Sequence, residues 1–197
     1  MQYSPLLYDK KGEEHYNLIS AFIKSMRGND TDASLYWLAR MIESGEDPLF
    51  IVRRMVIFAA EDIGNADPQA LVVATACKSA IELVGMPEGF LPLSQAVIYL
   101  ATAPKSNTTL VAYEKALRDV KKYGSLPVPM HLRNPVTPLM RKLGYGNGYK
   151  YPHNYKEELN SLHYLPEKIK ESKYYIPSES GFEQEIKKRG EKKKYFR

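Results

Sequence analysis

DPLFIVRRMVIFAAEDIG, residues 47–64, is the stretch whose reading decides the fold. Asp47 suits an N-cap, because its carboxylate accepts from the free N–H groups of a first helical turn. Pro48 fits the first helical position, where a missing N–H costs nothing. Gly64 is suited to the left-handed conformation that ends a helix. Between these signals a helix is expected from Pro48 to Ile63. Its apolar residues do not keep to one face. Leu49, Val52, Met55, Val56, Ala59 and Ile63 form one stripe; Phe50, Ile57 and Ala60 form a second; Ile51 and Phe58 form a third. A helix that is apolar nearly all round is expected to be wrapped by protein. Yet this one carries Arg53, Arg54, Glu61 and Asp62. Charges in such a setting need partners. These four residues are therefore expected in buried pairs or at a contact between subunits, and Trp37, ten residues before the stretch, joins them as a candidate packing anchor.

Outward from this helix, the same grammar repeats. On the N-terminal side, Tyr16, Ile19, Phe22, Ile23 and Met26 mark an amphipathic helix over Glu13 to Met26, stopped by Gly28. Asn29-Asp30-Thr31-Asp32 restarts the chain with capping residues, and Ala33 to Glu43 reads as a second helix. On the C-terminal side, Asp67-Pro68 repeats the device of Asp47-Pro48 and opens a helix that ends at Gly85. Leu93 to Ala103 and Thr108 to Tyr123 complete six expected helices within residues 13–123. Loops of a few residues favour antiparallel neighbours, as in a helical bundle or array. The fold class is therefore all-α.

The character changes at Gly124. GSLPVPMHLRNPVTP holds four prolines, which no continuous helix tolerates. GYGNGYKYPHNY follows, where glycines permit tight turns and tyrosines can pack one face while hydrogen-bonding through the hydroxyl. Short helices are expected over Val136 to Leu143, Glu157 to Leu162, Glu167 to Ser172 and Gly181 to Lys188, with Lys173 to Pro177 extended. The expected organisation is a helical core over 1–123 and an irregular segment over 124–197, docked on the core and ending in a basic tail.

Charge is spread unevenly. The net +5 of the chain divides into −5 for residues 1–100 and +10 for residues 101–197. The second half therefore suits an anionic partner such as nucleic acid, against the plainer reading of a soluble surface with a basic tail. The single cysteine, Cys77, excludes an internal disulfide and sits in an apolar helical context that fits a core thiol. A reducing, cytoplasmic setting is expected. No apolar run approaches the roughly 20 residues that cross a bilayer, so no membrane partner is expected.

An active site is not legible. The chain has no GxxxxGK[ST] phosphate loop, no HExxH, no paired-cysteine metal spacing and no GxSxG. Its four histidines, His15, His131, His153 and His163, are scattered. The expectation is a chain with no catalytic residue, metal site or cofactor of its own. What remains is cationic: Lys24 and Arg27, Lys105, Arg133, and the run that contains Lys187, Lys188, Lys192, Lys193 and Lys194. Each is a candidate contact for nucleic-acid backbone. Each also has a structural reading: helix C-terminal capping for Lys24 and Arg27, solvation for Lys105, loop pinning for Arg133, and a frayed tail for the last group.

Three blocks then carry a family likeness: HYNLISAFIKSMRGNDTDASLYWLARMIESGEDPLFIVRRMVIFAAEDIGNADPQAL, GMPEGFLPLSQAVIYLATAPKSN and PVPMHLRNPVTPLMRKLGYGNGYKYPHNY. In order and spacing they resemble the C-terminal half of a AAA+ ATPase family that includes the bacterial replication-associated recombination protein A (also called MgsA) and the eukaryotic Werner-helicase-interacting protein. The family's Ser-Glu-Asp-Ile-Gly-like signature stands here as Ala60 to Gly64, with Ala60 in place of a frequent Ser. The resemblance implies a fragment whose ATP- and Mg-binding core lies N-terminal to it. It implies a helical region resembling a clamp-loader collar that assembles the protein into a homotetramer. It implies a parent that is a DNA-dependent ATPase in replication-fork maintenance, recombination and repair. Single-stranded or forked DNA and the single-strand-binding protein are the partners it implies, in the cytoplasm and, in a bacterium, at the nucleoid.

Overall fold

The computed structural model describes residues 13–151, 154 and 163–193. The described elements are helical, with no strand among the described residues. They are α1 (Glu13–Arg27), α2 (Thr31–Glu43), α3 (Pro48–Phe58), α4 (Gln69–Val84), α5 (Phe90–Thr102), α6 (Thr108–Tyr123), α7 (Pro138–Lys142) and α8 (Glu183–Lys193). Capping chemistry explains several of the starts. Asp30 accepts from Ala33 N–H at 2.9 Å and Thr137 accepts from Met140 N–H at 3.2 Å. Asp47 accepts from Leu49 N–H at 2.9 Å, and Asp67 accepts from Gln69 N–H at 3.0 Å. The two Asp-Pro pairs thus act alike, each closing the first turn of the helix that follows.

The chain forms two compact units. Residues 1–110 and 177–188 make the first; residues 111–176 and 189–197 make the second. The boundary falls inside α6, a place that the composition break at Gly124 does not mark. In the first unit α1 packs on α2, α2 on α5, α3 on α4 and α4 on α5, with α1 also meeting α3 and α5. Phe22, Met26, Leu38, Met41, Ile51, Met55, Phe58, Ile63, Leu93 and Leu100 fill the space between them and are almost wholly buried. Burial of such side chains stabilises by about 1.5–3 kcal/mol each before chain entropy is charged.

In the second unit the Pro-rich segment and the Gly-Tyr segment hold each other. Met130–Leu132 forms a short 3₁₀ turn that the sequence reading did not anticipate, and Gly146 N–H donates to Met130 C=O at 2.9 Å. Gly146 has φ +75°, and a Cβ there would lie 3.3 Å from Arg133 C=O, so the turn needs glycine.

Some expectations are corrected. The central helix does not run as α-helix to Ile63. It gives way at Ala59 to a π turn, Ala59–Ile63, closed by Gly64 N–H on Ala59 C=O. Nor is the helix wrapped on every side. Ile51, Val52, Met55, Phe58, Ala59 and Ile63 are buried, while Arg53, Ile57 and Ala60 are exposed. The expected second stripe is therefore mostly the open face, because the neighbouring helices cover one side only. Helix α5 begins at Phe90, not Leu93; Pro92 is accommodated in the first turn, where no N–H is needed. Glu167 to Ser172 shortens to a 3₁₀ turn, Glu167–Ile169, and α8 runs on to Lys193. The short helix expected over Glu157 to Leu162 lies outside the described residues.

Candidate functional site

The Ala60–Gly64 signature forms a polar junction in the first unit. The π turn directs Asp62 at the end of α1, where the Arg27 guanidinium grips it through two bonds, Nε to Oδ1 at 2.5 Å and a terminal nitrogen to Oδ2 at 3.0 Å. The hydrogen bond to Asp62 raises the Arg27 pKa further, and Glu61 adds to the same field. The backbone C=O of Asp62 accepts from Ser106 N–H at 2.8 Å. Asp62 therefore ties α1 to the loop that follows α5. Lys105 sits on that loop. Its ammonium donates to Asn29 Oδ1 at 2.7 Å, to Ala101 C=O at 3.0 Å and to Ala103 C=O at 2.5 Å. Three acceptors use every donor that an ammonium has. Burial lowers the Lys105 pKa, and the nearby Asp62 opposes that shift.

The other predicted candidates fall in different places. Arg53 is exposed, 3.5 Å from Asp47 and 5.9 Å from the Phe50 ring. Arg54 is half-buried, and its Nε is buried with no hydrogen-bond partner among the described residues. Glu61 is half-buried and makes no ion pair among the described residues. Trp37 packs against the core edge, with the Tyr36 ring at 4.9 Å and the Arg40 guanidinium at 5.8 Å. Lys24 is exposed on α1, one turn before Arg27. Arg133, in the second unit, donates from Nε to Val128 C=O at 2.7 Å and lies 5.2 Å from the Tyr145 ring, so it pins its own loop. Lys187 pairs with Glu179, and Lys188 with Glu185 at 2.9 Å. Lys192 and Lys193 belong to α8, and Lys194 lies outside the described residues.

Sequence reasoning missed a buried carboxylate. Glu183, fully buried at the start of α8, accepts from Ser106 Oγ at 3.1 Å, from Ser178 N–H at 2.6 Å and from Thr108 Oγ1. Burial pushes its carboxyl up, but hydrogen bonds from Ser178, Thr108 and Ser106 outweigh that and hold it below the usual range. Beside it, Phe182 N–H donates to Ala66 C=O at 2.7 Å, and a Cβ on Gly181 would fall 2.1 Å from that carbonyl oxygen. Segment 177–188 is thus clasped against the loops at 64–66 and 106–108. No local pattern in GFEQE announces this, because Ser106 and Thr108 lie more than seventy residues away.

The first unit also exposes a run of large apolar side chains. Leu71, Val72, Leu83 and Val84 of α4, Met86 in the turn, and Phe90, Leu91 and Ile98 of α5 are all exposed, Leu83 to 87%. Among the described residues no helix is long and apolar enough to cross a membrane, and no cluster of His, Cys, Asp or Glu has the geometry to hold a metal.

The "MgsA AAA+ ATPase C terminal" family matches residues 28–194, and an "AAA C-terminal domain" family matches residues 1–27. The chain belongs to the MgsA AAA+ ATPase C-terminal family. It is 48% identical to the Replication-associated recombination protein A of Coxiella burnetii over 96% of its own length and 43% of that protein. The protein of the same name in Escherichia coli is 45% identical over 91% of this chain and 40% of its own length. The ATPase WRNIP1 of Dictyostelium discoideum is 46% identical over 89% of this chain and 20% of its own length. The chain thus spans less than half of each of these relatives. The Arg27–Asp62 pair joins a residue from the first matched family to one from the second.

Proposed function

We propose that this chain is the assembly module of a AAA+ ATPase that acts in replication-fork maintenance, recombination and repair. In this reading it joins copies of the parent into a homotetramer, while ATP and Mg belong to a core outside the chain. The observation that carries the reading is the open apolar face of α4 and α5, centred on Leu83, Val84, Met86, Phe90 and Leu91. Large apolar side chains left exposed in such number suit an interaction site. In a closed homo-oligomer one such surface serves every subunit. The open side of α3, with Arg53, Ile57 and Ala60 exposed and Arg54 beside them, is a second candidate for that contact. Helix α1 supports the link to the core, because it falls in the AAA C-terminal match yet packs on α2, α3 and α5.

Sedimentation velocity on this chain at micromolar concentration tests the reading. A self-associated species is expected, converted to monomer by Leu83→Glu with Leu91→Glu. A wild-type monomer at all concentrations sinks it.

A second reading adds contact with single-stranded or forked DNA, beside the single-strand-binding protein as a partner of the parent. It is favoured by how charge falls between the units. The first holds 11 Lys/Arg against 16 Asp/Glu, net −5; the second holds 17 against 7, net +10. A domain of such excess positive charge attracts a polyanion.

A further inference from the structure

We infer that the groove between α6 and residues 172–174, in the second unit, is a binding site for the backbone of single-stranded nucleic acid. The inference rests on the DNA-contact reading and assigns it a surface that the sequence did not single out. The cations read from sequence are largely committed elsewhere: Arg27 to Asp62, Lys105 to Asn29 and two carbonyls, Arg133 to Val128, Lys187 to Glu179 and Lys188 to Glu185. The groove is different. It is lined by Lys115, Arg118 and Asp119 of α6 on one side and by Ser172, Lys173 and Tyr174 on the other. Lys115, Arg118 and Lys173 make no ion pair among the described residues.

The helix supplies register. Lys115, Arg118 and Lys122 stand at i, i+3 and i+7, which puts them on one face over about 10 Å. Tyr123 extends the row: its ring centroid lies 4.9 Å from Lys122 Nζ and 4.8 Å from Lys168 Nζ. That ring holds two ammoniums at the end of the groove. Asp119 is the acidic group in the groove wall. Its Oδ2 accepts from Ser172 Oγ at 3.1 Å and from Tyr174 OH at 2.8 Å. The carboxylate is therefore spent on holding the far wall in place, and the cations beside it outnumber it.

The single-stranded form follows from the rest of the unit. Tyr113, Tyr149, Tyr151 and Tyr164 are all exposed there. Exposed aromatics within a unit of net positive charge offer stacking platforms to unpaired bases, which a duplex keeps inside its own stack.

The test is fluorescence anisotropy of the full chain with a labelled oligothymidylate of about 16 nucleotides. Binding is expected to weaken steeply between about 50 and 200 mM salt. Lys115→Glu, Arg118→Glu and Lys173→Glu combined is expected to weaken it at least about tenfold and to flatten the salt slope. Lys10→Glu, Lys11→Glu and Lys78→Glu combined makes the same change of net charge outside the second unit and is expected to change affinity less than about twofold. A triple variant with native circular dichroism that binds like wild type overturns the inference. So does equal competition by duplex DNA or by polyglutamate. Sedimentation of the triple variant separates the two claims: unchanged self-association with lost binding leaves the assembly reading intact, and binding by a monomeric wild type leaves the groove intact.

Discussion

Glu183 is a surface-type residue placed where a core residue would sit. Charge-assisted hydrogen bonds make that tolerable. Glu183→Gln keeps the shape but turns an acceptor into a mixed group facing the Ser178 N–H and two hydroxyls. A loss of about 1–3 kcal/mol is expected by urea denaturation at neutral pH. The native carboxyl is held below its ordinary value, so its contribution is complete above about pH 4.3 and fades as pH falls through the native value. The gap between wild type and Glu183→Gln is therefore expected to close on acidification. Cys77 illustrates the reverse case. It is 4% exposed, its thiol donates to Pro92 C=O at 3.3 Å, and burial pushes it up to about 11. Reaction with Ellman's reagent at neutral pH is expected only after denaturant opens the fold, since the thiolate is the nucleophile.

At the scale of the element, the decisive unit is α3 with its π turn. Phe58, 1% exposed, ends the regular helix and underlies the Lys105 ammonium at 5.9 Å. Phe58→Ala is expected to cost about 3–5 kcal/mol in thermal or urea melts, from lost burial and the cavity left behind. Gly64 stops the turn at φ +51°, and a Cβ there would lie 2.5 Å from Thr109 Oγ1. Gly64→Ala is thus expected to cost more than the roughly 1 kcal/mol of a plain left-handed residue, and to raise amide exchange around Asp62 and Ser106. The π turn gives the element a purpose beyond packing. It places Ile63 in the core while Asp62 faces Arg27, so one short segment serves the core and a cross-helix ion pair together.

For the whole molecule, the main feature is that the chain leaves the first unit at α6 and comes back to it at Pro177. Truncation after Ile176 removes Phe182, Gly181 and Glu183 together. The first unit is then expected to lose a few kcal/mol, read as a drop of several degrees in Tm and faster exchange at Ala66 and Ser106. The charge partition follows the same division. An acidic unit with an apolar outer face and a basic unit with exposed tyrosines divide assembly and nucleic-acid contact between them, under the proposed reading. Leu83→Glu with Leu91→Glu should then alter sedimentation while leaving the oligothymidylate affinity of each subunit in place.

The sequence by itself determined the helices. Asp47-Pro48, Asp67-Pro68, Asp30, Gly28 and Gly85 are local signals, and local signals act through backbone bonds a few residues away. It also carried the family, since the order of the three quoted blocks survives without coordinates. What tertiary structure alone decided was partnership. Nothing in the chain near Lys105 says that Asn29 will accept from it, and nothing near Glu183 points to Ser106 and Thr108. The open side of α3 was hidden for the same reason: periodicity tells which residues share a face, but only the positions of α1, α4 and α5 tell which face is covered. Hydrogen bonds and burial between distant segments depend on where the chain folds back, and that information is not local to any stretch of it.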